Sequence, residues 1–349
     1  MRAYGGSAAA VRRPWRRVLI PDLPALPAVQ RGPLFELRWE GRAMGTVWRA
    51  RAFAGPQAAA AREEIRRGVE REIDLVVRQM SHFDPHSDLS RYNGAKPGEW
   101  VAVPAEFFTV LRCAVEIARA TCGWFDPTVG EAVDLWGFGA RERAAPPSPS
   151  ELAAARQRSG WHRLRLDPRR EAVFQPGGLQ LNLSAIAKGY AVDRVAEYLE
   201  RRGVWSALVE IGGELRGFGV KPDGDPWWVL LESPSHGAAA LPETLLALHN
   251  VSVASSGDWV RRRTCGRAEV SHLIDPDTSE PQKRAVAGAS VVHESCMLAD
   301  AWATALSVAP PRAALRLADC YGLCARIVYE DGDGLVRERL SSGMEAMAA

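Results

Sequence analysis

The sequence predicts an α+β fold in which antiparallel sheets are flanked by helices, with 349 residues giving room for one large domain or two interlocked lobes. Three observations carry this. Two alternating segments, Leu34–Glu40 and Val47–Phe53, flank a short turn that contains Gly41 and Gly45, the pattern of an antiparallel hairpin. Two long segments of helical periodicity, Ala58–Met80 and Pro104–Thr121, follow without strands alternating between them. Beyond Gly203 the chain reads as strand after strand until an Ala-rich helix at Cys296–Val308. Strands and helices in groups argue against a doubly wound parallel sheet.

Each further element has a local reason. Ile65, Val69, Ile73, Val76 and Val77 give the helix Ala58–Met80 its apolar face. Residues 81–94 are polar and turn-rich and read as an ordered loop. Gly123–Gly130 leaves the second helix as a loop, and Glu131–Gly139 runs on through Trp136. Ala144–Ser150 is a Pro-rich surface connection, and Ser150 is placed to cap a short helix ending near Ser159. Leu164–Leu166 and Ala172–Phe174 are short strands about a turn. A helix over 185–202 turns Ala191, Val195 and Leu199 inward and stops at Gly203. Ala207–Ile211 is a buried strand running into Gly212–Gly213. Glu214–Val220, Trp227–Glu232, Thr244–Val253 and Val286–His293 are further strands. A helix at Pro310–Tyr321 and a final strand at Ala325–Tyr329 complete the pattern.

Composition excludes several classes. Hydrophobic residues make up 47% and charged residues 25%, and the net charge is +2. That is an ordinary globular balance, with no basic stripe for nucleic acid; Arg261–Arg263 is too short a run for one. No apolar run is long enough to span a bilayer. Six scattered cysteines suit reduced, mostly buried thiols, and Cys320-x-x-x-Cys324 without a second cluster is a weak zinc signal. Arg12–Arg13 and Arg16–Arg17 resemble the charged part of an export signal, but prolines and an aspartate break the apolar stretch behind them. Residues 1–33 are therefore expected to be an irregular Pro-rich arm, and the chain to be cytoplasmic.

Two segments carry chemistry. Asp300 and Thr304, four residues apart on an otherwise apolar helix, share a face and offer the oxygen ligands that hard cations such as magnesium take. The bland alternative has Thr304 bonded back to its own helix and Asp300 solvated. In Leu181–Asp193 a strand end turns into a helix with Lys188 at its start, where amides and an ammonium suit phosphate. A solvated lysine is the commoner fate. Lys188–Gly189 is no Walker loop, and Gly217-x-Gly219 is no dinucleotide fingerprint. A metal site beside a phosphate site suggests a nucleotide or dinucleotide. His272 is either a structural histidine or a general base working near its ordinary pKa of about 6.5. Phe83, Trp124 and Phe125 are either core or stacking faces for a ring, and their polar loops favour stacking.

The order of short motifs resembles the ApbE family of flavin transferases. The matching segments are Met44–Thr46, Ser81–Asn93, Phe125–Gly130 with Leu135–Gly139, Ala185–Asp193, Ile211–Glu214, Ser255–Asp258, His272–Pro276 and Ala299–Thr304. The resemblance implies an α+β flavin transferase domain over 34–340, followed by a tail at 341–349, with FAD lying between two lobes. It implies a magnesium-dependent transferase that moves the FMN half of FAD to a Thr or Ser hydroxyl of an acceptor protein, releasing AMP. The acceptors implied are flavoproteins, typically membrane redox subunits.

By position, the resemblance gives Asp300, Thr304 and the Ala185 carbonyl as magnesium ligands. It gives Met44, Phe83, Trp124, Phe125, Asp126, Asn182, Lys188 and Leu273 as residues lining FAD, and His272 with Lys188 as catalytic. Asn182 stands where the family often has aspartate, and Phe83 where it often has tyrosine. Ser279–Glu280 stands where glycine is usual, and a reshaped loop is expected there. The alternatives are an FAD pyrophosphatase using the same site and a non-catalytic flavin-binding protein.

Overall fold

The computed structural model describes residues 16–22, 32–140, 143, 145–234, 241–258, 261–266, 268–283 and 286–348. Its centre is an eight-stranded sheet. From one edge the strands are Phe35–Ala43, Thr46–Ala54, Val204–Ile211, Glu214–Phe218, Val251–Gly257, Val286–His293, Cys324–Glu330 and Val336–Leu340. Every neighbouring pair is antiparallel. The α+β expectation therefore holds, with the opening hairpin in register from Phe35↔Ala54 to Ala43↔Thr46.

The two faces of this sheet differ. One is covered by the helices Arg62–Met80, Ala187–Arg201 and Cys296–Val308, and a core runs through Ile65, Val69, Ile73, Val195, Leu199, Ile211, Ala254 and Leu306. The other bears a three-stranded sheet of Arg16–Leu19, Glu243–Leu248 and Trp227–Leu230, packed through Leu19, Trp227, Leu246, Val253 and Val292. A third small sheet, Trp100–Ala102, Ala172–Phe174 and Leu166–Asp167, lies under the loops of the site.

Several local expectations are corrected. Within the stretch expected to be irregular, Arg16–Leu19 is a strand paired in parallel with Glu243–Leu248, and Arg17 is ion-paired with Glu338; residues 1–15 and 23–31 lie outside the described residues. The tail is tied down: Ser341 caps the short helix Ser342–Glu345, Met344 is fully buried, and the Ile20 amide donates to the Met347 carbonyl. The first helix breaks at Ala61 into Pro56–Ala60 and Arg62–Met80. The 81–94 loop contains a helix at Asp88–Asn93, capped by Ser87. The cap of Pro149–Arg158 is Ser148, not Ser150, because Ser148 and Glu151 close a capping box. Thr244–Val253 is two strands, split where Asn250 takes φ +57°. Val336–Leu340 is an additional last strand.

Candidate functional site

The site begins where Ala187–Arg201 meets Cys296–Val308. Gly189 makes the approach possible: a Cβ there would lie 2.2 Å from the Cys296 carbonyl oxygen and 2.8 Å from the Asp300 Cβ. The Asp300 carboxylate, 4% exposed, accepts a hydrogen bond from the Gly189 amide at 3.0 Å. In a regular helix that amide would donate to the Ala185 carbonyl four residues back. Here the helix starts only at Ala187, and no described backbone amide donates to Ala185. One carboxylate thus takes the amide and frees the carbonyl. Thr304 follows one turn after Asp300 on the same face, and no described residue hydrogen-bonds its hydroxyl, so the helix-bonded alternative is not what the structure holds.

A carboxylate, a hydroxyl and a released carbonyl suit a hard divalent cation. No group of three or more His, Cys, Asp or Glu side chains comes together among the described residues, so a soft transition-metal centre has no ligand set there.

Lys188, next along the helix, is ion-paired with Glu214, whose side chain is 3% exposed. Burial pulls the Lys188 ammonium down, but Glu214 and Asp300 outweigh it and the net shift is upward. Burial pushes both carboxylates up, against the opposing pull of Lys188. Glu214 is pushed up to about 8 and Asp300 above its ordinary value, and a cation beside them would favour their charged forms.

Loops complete the site. Asn93 clasps residue 181 through both its amide atoms: its side chain donates to the Leu181 carbonyl and accepts from the Leu181 amide. The loop after Phe125 is strapped to the same segment by Asn182 N–H to the Pro127 carbonyl and Gly130 N–H to the Gln180 carbonyl. Asn182 itself folds back to accept from the Ser184 amide. The His82 Nδ1 lies 3.3 Å from the Ser184 hydroxyl, one residue before Ala185. Met44 sits at the hairpin tip with φ +51°, and Gly212, in the neighbouring turn, donates to the Val47 carbonyl. Met44 and Trp124 are half-buried at the margin of the core.

His272 faces this group from the far side. Its Nδ1 lies 3.1 Å from the Arg261 carbonyl, so Nδ1 carries the hydrogen and Nε2 the lone pair. Burial pushes its pKa down to about 4, with the charges of Lys188 and Arg261 acting the same way against the carbonyl bond. This overturns the expectation of an ordinary imidazole: His272 is neutral throughout the physiological range. His82 is likewise held near 4, by burial first and by Arg261 second. Phe138 links the two histidines, its ring edge-on to His272 at 6.3 Å and its backbone facing His82.

Not every expected lining residue offers its side chain. The Phe125 ring is in the core, 4% exposed, and Leu273 is equally buried. The Asp126 carboxylate is spent on its own loop, accepting from the Thr128 amide and hydroxyl and from the Trp161 amide. Phe83 is 51% exposed and rests against His82 with ring centroids 3.9 Å apart. The loop at Ser279 is a tight antiparallel turn in which Ser279 itself takes the left-handed backbone, φ +55°, that glycine adopts most easily. Two residues were not singled out from sequence. Glu214 follows a glycine pair at the end of a buried strand, a signal readable only once the turn length is known. Gly189 gave no signal beyond its place in the motif.

A family model described as the ApbE family matches residues 44–327. Among curated proteins, an FAD:protein FMN transferase of Vibrio cholerae serotype O1 is 32% identical over 311 residues, covering 89% of this chain and 92% of its own length. Among solved structures, the flavin transferase ApbE from Vibrio cholerae superposes with a TM-score of 0.82 at 32% identity, over 90% of this chain and 100% of that one. The apo flavinyl transferase ApbE of Pseudomonas stutzeri gives 0.80 at 29% identity, over 90% and 97%. Since the family model covers most of the chain and a relative 32% identical covers 89% of it, the chain belongs to the ApbE family.

Proposed function

We propose that the chain transfers the FMN moiety of FAD to a threonine or serine hydroxyl of an acceptor protein, with magnesium held by Asp300, Thr304 and the Ala185 carbonyl. The observation that carries the reading is the Gly189–Asp300 hydrogen bond, which frees the Ala185 carbonyl beside Asp300 and Lys188. The bound cation would neutralise phosphate charge and polarise the phosphoryl oxygen.

The chain's own groups do the rest. Lys188 contacts the pyrophosphate from the helix start, its side chain half-buried beside Glu214. The acceptor hydroxyl attacks the phosphorus of the FMN half, the bridging oxygen leaves with AMP, and the hydroxyl proton goes to Nε2 of His272. Nε2 is the free nitrogen because Nδ1 is committed to the Arg261 carbonyl. Phe83 and Trp124 flank the ring end. The acceptor is a flavoprotein; a membrane redox subunit fits the resemblance, and no helix among the described residues is long and apolar enough to cross a membrane.

The test is incubation of the full chain with FAD, magnesium and an acceptor bearing a target Thr or Ser, followed by mass analysis. AMP with an acceptor heavier by one FMN is the expected result. AMP with free FMN and unmodified acceptor would make the chain a pyrophosphatase, and no AMP would leave a flavin-binding protein.

A further inference from the structure

Glu214 has no part in the chemistry described so far, yet the fold goes to some length to bury it. Residues 211 and 214 are direct partners across a two-residue turn, Gly212–Gly213, in which both glycines take positive φ, +66° and +106°. A turn that tight puts Glu214 on the same face as the fully buried Ile211, under the helix Ala187–Arg201. There one oxygen accepts from Lys188, while Oε2 is buried with no hydrogen-bond partner among the described residues.

Stability alone does not explain this carboxylate. Asp300 already faces Lys188 and is anchored by the Gly189 amide. A second buried carboxyl group with an unsatisfied oxygen costs stability. What it does supply is direction. A lysine ammonium is a point charge on a flexible four-carbon stem. Tying one of its three N–H groups to a strand of the central sheet fixes where the other two aim.

We propose that Glu214 is a positioning residue for the transfer: it holds the Lys188 ammonium on the pyrophosphate, so that the charge is in place before the phosphorus–oxygen bond breaks. The inference rests on the reading of Lys188 as the pyrophosphate contact, and a double-mutant cycle separates the two. The full chain, Glu214→Gln, Lys188→Met and the double variant are compared by single-turnover AMP release with FAD, magnesium and acceptor. FAD affinity is read by fluorescence titration and folding by thermal melting.

The expected result has Lys188→Met slowing transfer and weakening FAD. Glu214→Gln lowers kcat/KM by about tenfold to a hundredfold, the worth of a hydrogen bond to a charged group. The double variant is no slower than Lys188→Met, because Glu214 has nothing left to position. Glu214→Asp, which keeps the charge, recovers part of the rate. Losses that multiply in the double variant, or a Glu214→Gln protein at the wild-type rate, would overturn the role of Glu214 while leaving that of Lys188 standing. A Lys188→Met protein with unchanged rate and FAD affinity would overturn both. Should Glu214→Gln fail to fold, the same cycle with Glu214→Asp decides the matter.

Discussion

Asp300, Lys188 and Glu214 stand on two helices and a central strand, whereas Phe83, Trp124 and His272 stand on loops held by other loops. The two ends of the site solve different problems. The proposed metal and phosphate end must keep charged groups within a few tenths of an ångström, and packed regular elements do that. Its cost is the burial of two carboxylates against one ammonium. The ring end must admit a large planar group and an acceptor chain, and it uses aromatic surface on straps: the Asn93 clasp, the Gly130 contact and the bonds from Arg263 to the Trp136, Gly137 and Arg143 carbonyls.

The contrast predicts its largest effect at Asp300. Asp300→Ala removes a ligand and lets the Gly189 amide close on Ala185, so the carbonyl is lost as well. Magnesium-dependent AMP release should fall on the order of a thousandfold or more. The melting temperature should hold, because Lys188 keeps Glu214 as its partner. Appreciable turnover by the folded variant at low magnesium would mean that the rigid end is not the metal end.

His272 is the test at the loop end. His272→Ala should slow transfer by about a hundredfold or more while FAD affinity stays nearly unchanged. Because burial holds the imidazole near 4, the wild-type rate should stay flat from pH 7 down to about 5 and fall below that. The same shift bears on stability. Between pH 4 and 6.5 the unfolded chain binds protons at His272 and His82 that the folded chain does not. Their contribution is present above about pH 6.5 and is lost as the pH falls toward 4. Melting curves across that window should show less acid loss for the variant than for the wild type. An acid limb near 6.5 that persists unchanged in His272→Ala would take His272 out of the mechanism.

Gly189→Ala probes the rigid end without replacing any proposed ligand. The added Cβ cannot share space with the Cys296 carbonyl, so the helix Cys296–Val308 must shift and carry Asp300 with it. The expected cost is about 1–3 kcal/mol of stability and, from a displacement near 1 Å, about a hundredfold in rate. Magnesium titration should show weaker dependence on the metal. A variant with normal metal response would mean that the helix contact does not set the ligand geometry.

How far the sequence could be read follows the same division. The helix Cys296–Val308 and the strand Val286–His293 match their predicted bounds, because an apolar run between clear stops leaves little freedom. The shared helix face of Asp300 and Thr304 and the place of Lys188 in the first turn of its helix were legible from period and helix start. The ion pair of Lys188 with Glu214 was not, since it spans 26 residues and depends on how a strand passes under a helix. Phe125 and Asp126 are assigned to the ligand by motif position, and only tertiary packing shows that one ring fills the core and one carboxylate closes its own loop. The perturbed state of His272 comes from burial, which no local pattern encodes.

The smallest expected effect separates the two ends most cleanly. Phe83 is half exposed and packed on one side only, against His82, so removing its ring should cost little stability. If its free face stacks on the isoalloxazine ring, Phe83→Ala should weaken FAD and FMN binding by the same factor, about threefold to tenfold, the worth of one aromatic pair. Lys188→Met should instead weaken FAD and leave FMN nearly unaffected, because FMN lacks the pyrophosphate. The two ratios, measured by flavin fluorescence titration with magnesium present, assign each residue to an end without reference to turnover. Equal loss of both flavins in Lys188→Met would mean that the lysine meets the phosphate that FMN keeps. Loss of FAD alone in Phe83→Ala would put the adenine, not the flavin, on the Phe83 face and would reverse the direction in which FAD lies across the two ends.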